Sequence, residues 1–503
     1  MILILHNDIQ VTKIEDLANK TIIDISKKNS IQKTLLELAK NNYDEFLIWC
    51  REELRTILDE DSLKNIFHHK LIMASYGLSS YLPEEIGYVE ESPFIKVKRN
   101  VTYPTWQMSS EVGGIHASVL LEFRDLPLKD DFSYYLNSLA KLGQPRGLFC
   151  YSEPRLTTGL IPGSRTTASI SVLFRFVKQH YKTRWLFLLL LDFIVYQRRL
   201  PLLPFLYSFS FRKRTEISPD LSKIQVESSK KVMSEESLDV VIPTIGRKDY
   251  LYQVLQDLKS QTRRPSQVII VEQNPDLNSI SELDYLDQED WPFKIRHIFT
   301  HQAGVCNARN LALKEVRSEW VFFNDDDNSF NSNLIEEVFC NIRKYGISCY
   351  CTPYLKPDED PEFDLVTQTT TFGAGNTFLK NSSREGIKFA PELEFGYGED
   401  KDFGMQLREK GVDVIFFPKP AIIHLNAPSG GFRIKQKFPW RNSQPTPIPS
   451  PTLMWYKERH LSREQLLGYK TVLFFNLLKK GRIKESLKFN SSWQASMNWA
   501  GKL

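Results

Sequence analysis

The chain reads as α/β, with mostly parallel sheet and helices on both faces, arranged as two successive units and a short helical tail. Three observations predict this. Short apolar runs alternate with stretches of helical spacing along most of the length. Residues 215–237 are polar, rich in Ser and Lys, and without periodicity, which marks a linker. At 503 residues the chain is also long for one domain.

Bulk composition narrows the class. Hydrophobic residues make up 42% and charged residues 25%, an ordinary globular balance. A net charge of +4 is small for this size and does not predict nucleic-acid binding. The six cysteines are scattered and none has zinc spacing, so free thiols in a reducing cytoplasm are expected. The start, MILILHNDIQ, lacks a basic n-region and a cleavage site and reads as a first strand.

The first unit is expected over residues 1–156. Ile31 to Ala39 has helical spacing, Phe46 to Trp49 a strand pattern, Gly113-Gly114 a break, and Asp130 to Leu142 a helix stopped by Gly143. Residues 157–214 form an apolar and basic segment. Its centre, Trp185 to Tyr196, is almost wholly apolar, and helical residues there span only about 18 Å against a hydrocarbon core of roughly 30 Å. Lys178, Lys182 and Arg184 precede it, and Arg198, Arg199, Arg212, Lys213 and Arg214 follow. A helix buried between domains and an in-plane contact with anionic lipid through 178–214 both suit this pattern; the double basic flank favours the lipid.

The second unit is expected over 238–433. Leu238 to Pro243 is a strand, Tyr250 to Leu258 a helix, Val268 to Val271 a strand, Asn307 to Val316 a helix and Trp320 to Phe323 a strand. In such sheets ligands bind beyond the carboxyl ends of the strands. Pro243-Thr244, Glu272 and Asp325-Asp326-Asp327 all follow strand ends, so one crevice is expected to gather them. Carboxylates at a strand end can grip a hard cation. An EF-hand is a poor alternative: Glu336 is twelfth from Asp325, but a strand precedes the loop and Phe330 stands where glycine is needed. Residues 434–503 read as a helical extension, with Leu466 to Leu478 packing on the second domain or forming a further membrane or partner surface.

Several motifs in order give residues 238–433 a specific likeness. These are Pro243-Thr244 with Arg247; Glu272 with Asn274; AGVCNARNLAL with Gly304, Asn307, Arg309 and Asn310; Asp325-Asp326-Asp327; Gly373-Ala374-Gly375-Asn376; Gly398-Glu399-Asp400; and His424 in AIIHLNAP. Together they resemble a family 2 glycosyltransferase of the GT-A fold. The resemblance implies a donor site of Pro243, Thr244, Arg247, Glu272, Asn274, Gly304, Asn307, Arg309, Asp325 and Asp326. It implies a DxD metal site of Asp325 and Asp327 with His424, taking Mn²⁺ or Mg²⁺, and an acceptor site of Gly373, Gly375, Asn376 and Glu399. Asp400 is then the catalytic base, with Glu399 orienting the acceptor or the helix. Both acids open a helix, where its dipole favours anions.

The expected reaction is inverting transfer from a nucleotide sugar, a UDP-sugar first. The expected acceptor is a glycan or lipid-linked glycan in surface polysaccharide assembly, handled in the cytoplasm at the inner face of the cell membrane. The rival readings are a non-catalytic binding protein and a nucleotidyltransferase, for which PTIGRKDY is a poor phosphate loop. The first unit carries a faint echo of the second. Glu45 to Cys50 parallels Glu319 to Asn324, Arg51-Glu52-Glu53 takes the place of the aspartates, Gly113-Gly114 parallels Gly373 to Asn376, and Asp131-Phe132 parallels Glu399-Asp400. A degenerate GT-A-like unit without metal site or base is expected there.

Overall fold

A computed structural model describes residues 1–503 except 24–29, 160, 162, 164–166, 361–363 and 429–437. The expected boundary at 433/434 lies outside the described residues. The chain divides into two compact units: Met1–Lys230 with Leu461–Gly481, and Lys231–His460 with Arg482–Leu503.

Unit 1 begins with β1 (Ile2–His6), β2 (Val11–Asp16), β3 (Thr21–Ile22), α1 (Ile31–Asn41), β4 (Phe46–Arg51), α2 (Glu60–Ile66) and β5 (Ile72–Tyr76). It continues through β6 (Tyr103–Pro104), β7 (Val112–His116), α3 (Ala117–Leu121), α4 (Phe132–Gly143), β8 (Phe149–Ser152), α5 (Ile170–His180), α6 (Arg184–Gln197) and α7 (Leu202–Ser208). The eight strands form one sheet in the order β3-β2-β1-β4-β7-β5-β8-β6. Gly113-Gly114 does not break the chain but sits inside β7, because Trp49 and Phe67 cover those positions: a Cβ would come within 2.4 Å of Trp49 and 2.6 Å of Phe67.

In unit 2 come β9 (Leu238–Thr244), α8 (Lys248–Lys259), β10 (Gln267–Gln273), α9 (Tyr285–Gln288), β11 (Lys294–Thr300), α10 (Val305–Glu315), β12 (Trp320–Asn324) and β13 (Asn328–Ser329). Then follow α11 (Leu334–Tyr345), β14 (Cys349–Cys351), β15 (Tyr354–Leu355), β16 (Thr367–Gln368), β17 (Asn376–Lys380), α12 (Glu399–Glu409), β18 (Ile415–Phe416), β19 (Ile422–His424) and α13 (Pro451–His460). Its main sheet runs β11-β10-β9-β12-β17-β14-β18-β16, and a small sheet runs β13-β19-β15. Helix α14 (Arg463–Lys479) returns to unit 1, while α15 (Ile483–Leu487) and α16 (Phe489–Ala500) belong to unit 2.

The tail is therefore shared between the units. Leu466 to Leu478 packs on unit 1 rather than on the second domain, because Gly468 has no side chain. An added Cβ would stand 2.3 Å from the Tyr88 carbonyl, and Gln465 Nε2 donates to the Glu90 carbonyl at 3.0 Å. Residues 215–237, expected as a linker, have little regular structure, and Leu221, Val226 and Val232 are buried.

The core of unit 2 explains how its two acid motifs are held. The apolar strands β9, β10 and β12 pair in parallel. Val241, Val271, Val321 and Phe323 point to one face, where Phe403 and Leu407 of α12 meet them. The Phe323 ring meets Phe403 edge-on at 5.7 Å, and Phe403 stacks on Phe389 at 4.4 Å. Phe323 lies just before the aspartates and Phe403 just after Glu399-Asp400, so one aromatic cluster fixes both.

The two main sheets share one plan. From β1 and β9 rightward the orders match strand for strand, with the same parallel or antiparallel sense at each pairing. They differ on the left. In unit 2, β9 is followed by α8 and the parallel strands β10 and β11; in unit 1, β1 is followed directly by an antiparallel hairpin, β2-β3. Register also corrects the expected alignment. Cys50 pairs with Val112 as Asn324 pairs with Asn376, so Gly113-Gly114 corresponds to Thr377-Phe378, not to the Gly373 segment.

Among the described residues, no helix is long and apolar enough to cross a membrane. Helix α6 buries Leu186, Leu189, Asp192 and Phe193 and leaves Phe187, Ile194 and Val195 exposed. Helix α7 buries Phe205 and exposes Leu202, Leu203, Leu206 and Tyr207.

Candidate active site

The three aspartates leave β12 in three directions, and each is fixed by a different element. Asp325 turns to α10 and β15: Arg309 Nη2 donates to its Oδ1 at 3.1 Å, and the Tyr354 hydroxyl donates to its Oδ2 at 2.7 Å. Gly375 is needed beside it, since a Cβ there would lie 2.3 Å from Asp325 Oδ2. Asp326 turns back to the β9 turn and accepts from Thr244 Oγ1 at 2.7 Å and Arg247 Nη1 at 2.6 Å. Burial pushes the Asp326 carboxyl up to about 6, against the pull of Arg247 and Thr244.

Asp327 turns to the small sheet. β13 and β19 pair Asn328 with His424, which brings His424 Nε2 to 3.2 Å from Asp327 Oδ1. The other oxygen accepts from the Ala427 amide at 2.9 Å and faces Arg247 at 3.2 Å. Asp327 is 1% exposed, and its Oδ1 lies outside hydrogen-bonding geometry. Burial raises its carboxyl, but His424, Ala427 and Arg247 together hold it below the ordinary range. His424 is raised chiefly by Asp327. The Tyr354 ring stacks on His424 at 4.6 Å, so this tyrosine links the Asp325 and His424 sides.

Arg309 joins the aspartates to the second acid motif. Its Nη1 donates to Asp400 Oδ1 at 3.4 Å, while Asp400 Oδ2 accepts from the Ala374 amide at 3.1 Å. The Asp400 side chain is one-third exposed, open enough to meet a substrate. Burial raises its carboxyl and Arg309 opposes that. Glu399, the next acid, is pushed up to about 7 by burial and by the charge of Asp400. A closely spaced pair whose affinities are driven upward suits proton uptake near neutrality.

Other expected site residues have structural partners. Glu272 is 6% exposed and accepts from Ser281 Oγ at 2.6 Å and the Glu282 amide at 3.0 Å, with His297 Nε2 at 2.9 Å. These bonds hold its carboxyl low against burial. Asn274 accepts from the Asp276 amide at 3.1 Å through its side chain. Pro243 is the penultimate residue of β9, half-buried beside Thr244. Asn376 donates its side-chain amide to the Thr352 carbonyl, and a Cβ on Gly373 would lie 2.0 Å from Asn376 Oδ1.

The amino end of α10, expected to close over the nucleotide, carries a carboxylate of the chain itself. Glu394 accepts from the Cys306 amide at 3.0 Å and the Asn307 amide at 2.9 Å. Gly304, at φ 143, makes room: a Cβ there would come within 2.4 Å of Glu394. The helix dipole and open amides explain why a carboxylate sits there.

Sequence reasoning missed Tyr354, Glu394 and His460. No local pattern announces them, for each acts across more than 25 residues. His460 is buried and pairs through Nε2 with buried Asp402 at 2.7 Å and through Nδ1 with Glu409 at 3.3 Å. It thereby clamps α13 onto the helix that carries Glu399 and Asp400. Burial lowers its affinity for a proton, but Asp402 and Glu409 outweigh that and raise it above the ordinary histidine value. The stabilisation is thus complete below about pH 6.5 and is lost as pH rises through the raised value. His460→Gln is expected to cost about 3 kcal/mol at pH 6 and clearly less at pH 9. Urea unfolding at the two pH values checks this, and an equal loss at both would exclude a charged His460.

The chemistry fits a cation at one point. Among the described residues, no group of three or more His, Cys, Asp or Glu is spaced to hold a metal ion. Two do converge, the buried, unbonded Asp327 Oδ1 and His424 Nε2. That oxygen and imidazole form a partial donor set of the kind Mn²⁺ or Mg²⁺ accepts when a ligand's phosphates and water complete the shell. Asp325 lies next to this pair but is bonded to Arg309 and Tyr354.

Residues 239–395 match the family described as Glycosyl transferase family 2. An uncharacterized glycosyltransferase of Rickettsia bellii is 24% identical over 30% of this chain and 21% of its own length. Glycosyltransferase GlyG of Streptococcus pneumoniae is 22% identical over 25% of this chain and 41% of its own length. The chain thus spans less than half the length of these relatives. A crystal structure of S. aureus TarS 1-349 in complex with UDP-GlcNAc is similar at 16% identity and a TM-score of 0.37, over 45% of this chain and 66% of that one. Residues 239–395, which hold the three aspartates and the Gly373 segment, are a glycosyltransferase domain of family 2.

Proposed function

We propose that the chain is a metal-dependent, inverting glycosyltransferase that uses a nucleotide sugar, a UDP-sugar first, and adds to a glycan or lipid-linked glycan of a surface polysaccharide. The observation that carries this is Arg309, which bonds both Asp325 and Asp400 and so ties the strand-end aspartates to the acids of α12. Asp327 and His424 would hold the cation, whose chemistry is to neutralise charge on the leaving diphosphate. Arg247 adds positive charge beside Asp326 and Asp327, on the side where the donor's phosphates are expected.

Asp400 would take the proton of the acceptor hydroxyl as that oxygen attacks the anomeric carbon. The Ala374 amide and Arg309 aim its carboxylate. Attack opposite the leaving group inverts the anomeric centre. Glu399 would orient the acceptor, and Gly375 lets the backbone approach Asp325 closely.

The test is hydrolysis of UDP-, GDP- and dTDP-sugars by purified full-length protein, with and without Mn²⁺. Metal-dependent release of one nucleoside diphosphate supports the reading. No turnover together with no nucleotide binding in the presence of metal would move the assignment to a non-catalytic binding protein.

The apolar residues left open on α6 and α7 support the lipid contact expected from the sequence. Leu203 is 80% exposed, Leu206 55% and Phe187 55%, and the exposed Arg198 and Arg199 lie between α6 and α7 in the chain. Such a face buries apolar surface at the level of the headgroups while its cations meet anionic lipid. The chain is expected to sediment with phosphatidylserine-containing vesicles, and Leu203→Glu with Leu206→Glu to weaken this at least about tenfold. Equal sedimentation of the double variant would refute the contact.

A further inference from the structure

Unit 1 keeps one half of the sheet plan of unit 2 and has lost the other, and a cavity lies in the half that is kept. The lost half is β10 and β11 with α8, replaced by the β2-β3 hairpin. Arg51 stands where unit 2 has Asp325, and it pairs with Glu53 at 3.2 Å and Glu111 at 3.3 Å. Nothing in that arrangement suits a cation and its diphosphate.

The kept half places a bonded pair at the same two positions, joined through different atoms. In unit 2, Ala374 lies two residues before β17, Asp400 is the second residue of α12, and the two are bonded at 3.1 Å. In unit 1, Ser110 lies two residues before β7, Ser133 is the second residue of α4, and their hydroxyls are bonded at 2.7 Å. Ser133, rather than Phe132, therefore occupies the place of the base. A serine hydroxyl bonded to another serine is no general base, so this position supplies no catalytic group.

Around this pair lies a cavity of about 260 Å³ lined by Asp8, Ser79, Ser80, Tyr81, Asp131 and Ser133, among others. Its lining includes hydroxyls, two carboxylates and the Tyr81 and Phe132 rings, and no lysine or arginine among the described lining residues. Asp131 caps α4 by accepting from the Tyr134 amide at 2.8 Å and accepts from the Tyr81 hydroxyl at 2.8 Å, which holds the Tyr81 ring as a wall. Ser79 and Ser80 are shared with a second groove of about 870 Å³, which runs past Lys96, Arg99 and Gln107. Carboxylates and hydroxyls beside an aromatic face suit a neutral polyol in the cavity, while in the groove Arg99, which donates to Ser80 Oγ at 2.8 Å, Lys96 and Arg463 are balanced by Glu84, Glu85 and Glu464. The cavity has room for one sugar ring, and the groove beyond it for more of a chain.

We propose that this relict crevice of unit 1 is a non-catalytic site for a neutral glycan, with one sugar residue in the Asp8–Ser79–Asp131 cavity and the chain continuing along the adjoining groove. The correspondence with an acceptor side rests on the reading of Asp400 given above.

The test uses full-length protein, without nucleotide, on an array of neutral and anionic oligosaccharides. Ser79→Trp fills the neck between cavity and groove. Asp8→Asn, at an exposed position, removes one charged acceptor without altering packing. Thermal melting reports whether either variant is misfolded. Binding to neutral glycans that falls at least about tenfold in Ser79→Trp and measurably in Asp8→Asn supports the site. No neutral glycan bound, anionic glycans alone bound, or binding unchanged in both variants would overturn it. Nucleotide-sugar hydrolysis is read on the same preparations and is expected to be unchanged in both. Glycan binding at the cavity with neither hydrolysis nor metal-dependent binding of any donor would sink the transferase reading and leave this one standing.

Discussion

Asp400→Asn is expected to lower the rate of sugar transfer about 10³-fold while leaving the affinity for the nucleotide sugar nearly unchanged. Asparagine has the same shape and still offers an oxygen to the Ala374 amide at the position Asp400 Oδ2 holds. What it lacks is the basicity needed to accept a proton. Because burial raises Asp400 and pushes Glu399 up to about 7, the coupled pair takes up a proton as pH falls through neutrality. The base works only when ionised, so wild-type kcat/KM should fall toward acid pH as Asp400, raised above the ordinary aspartate range, is protonated, and the residual rate of the variant should lose that limb. Donor affinity is the control. Asp400 also faces Arg309, which bonds Asp325. If donor binding fell as far as transfer, Asp400 would be a positioning residue for that arginine instead.

Asp327→Ala should abolish the metal dependence itself. Its two oxygens face His424, Arg247 and the Ala427 amide from a site 1% exposed, so no neighbouring carboxylate can take over. The expected loss in metal-dependent hydrolysis is at least about 10²-fold. Titration calorimetry with Mn²⁺ and the nucleoside diphosphate should show the matching loss of affinity. Melting of the variant without ligand separates this from unfolding, since Arg247 keeps Asp326 as a partner at 2.6 Å. A folded Asp327→Ala protein that still responded to Mn²⁺ would remove Asp327 from the metal site and turn attention to Asp325.

Much of this was legible in the sequence because it depends on neighbours. Strands β9, β10 and β12 are runs of β-branched and aromatic residues, and α8, α10 and α12 have apolar positions at helical spacing. The topology then carries strand-end residues to one edge of the sheet, which is why the order of motifs pointed to one crevice. The likeness of unit 1 to unit 2 was visible at Glu45 to Cys50, a strand at the same place in the sheet. It was misaligned at Gly113-Gly114, because glycine there answers to the Trp49 and Phe67 rings and not to a turn.

The sequence by itself determined the α/β class, several strands and helices of each unit, the acids at the end of β12 and at the start of α12, and an apolar helix too short to span a bilayer. Only the tertiary structure decided where each carboxylate points. Asp325, Asp326 and Asp327 are adjacent in the chain, yet they answer to Tyr354 and Arg309, to Thr244 and Arg247, and to His424 and Ala427. It likewise decided that Glu394 caps α10, that His460 clamps α12, and that α14 belongs to unit 1. The reason is range. Backbone conformation is set by residues a few positions away, whereas the direction of a buried charge is set by whichever donor the fold brings within hydrogen-bonding distance.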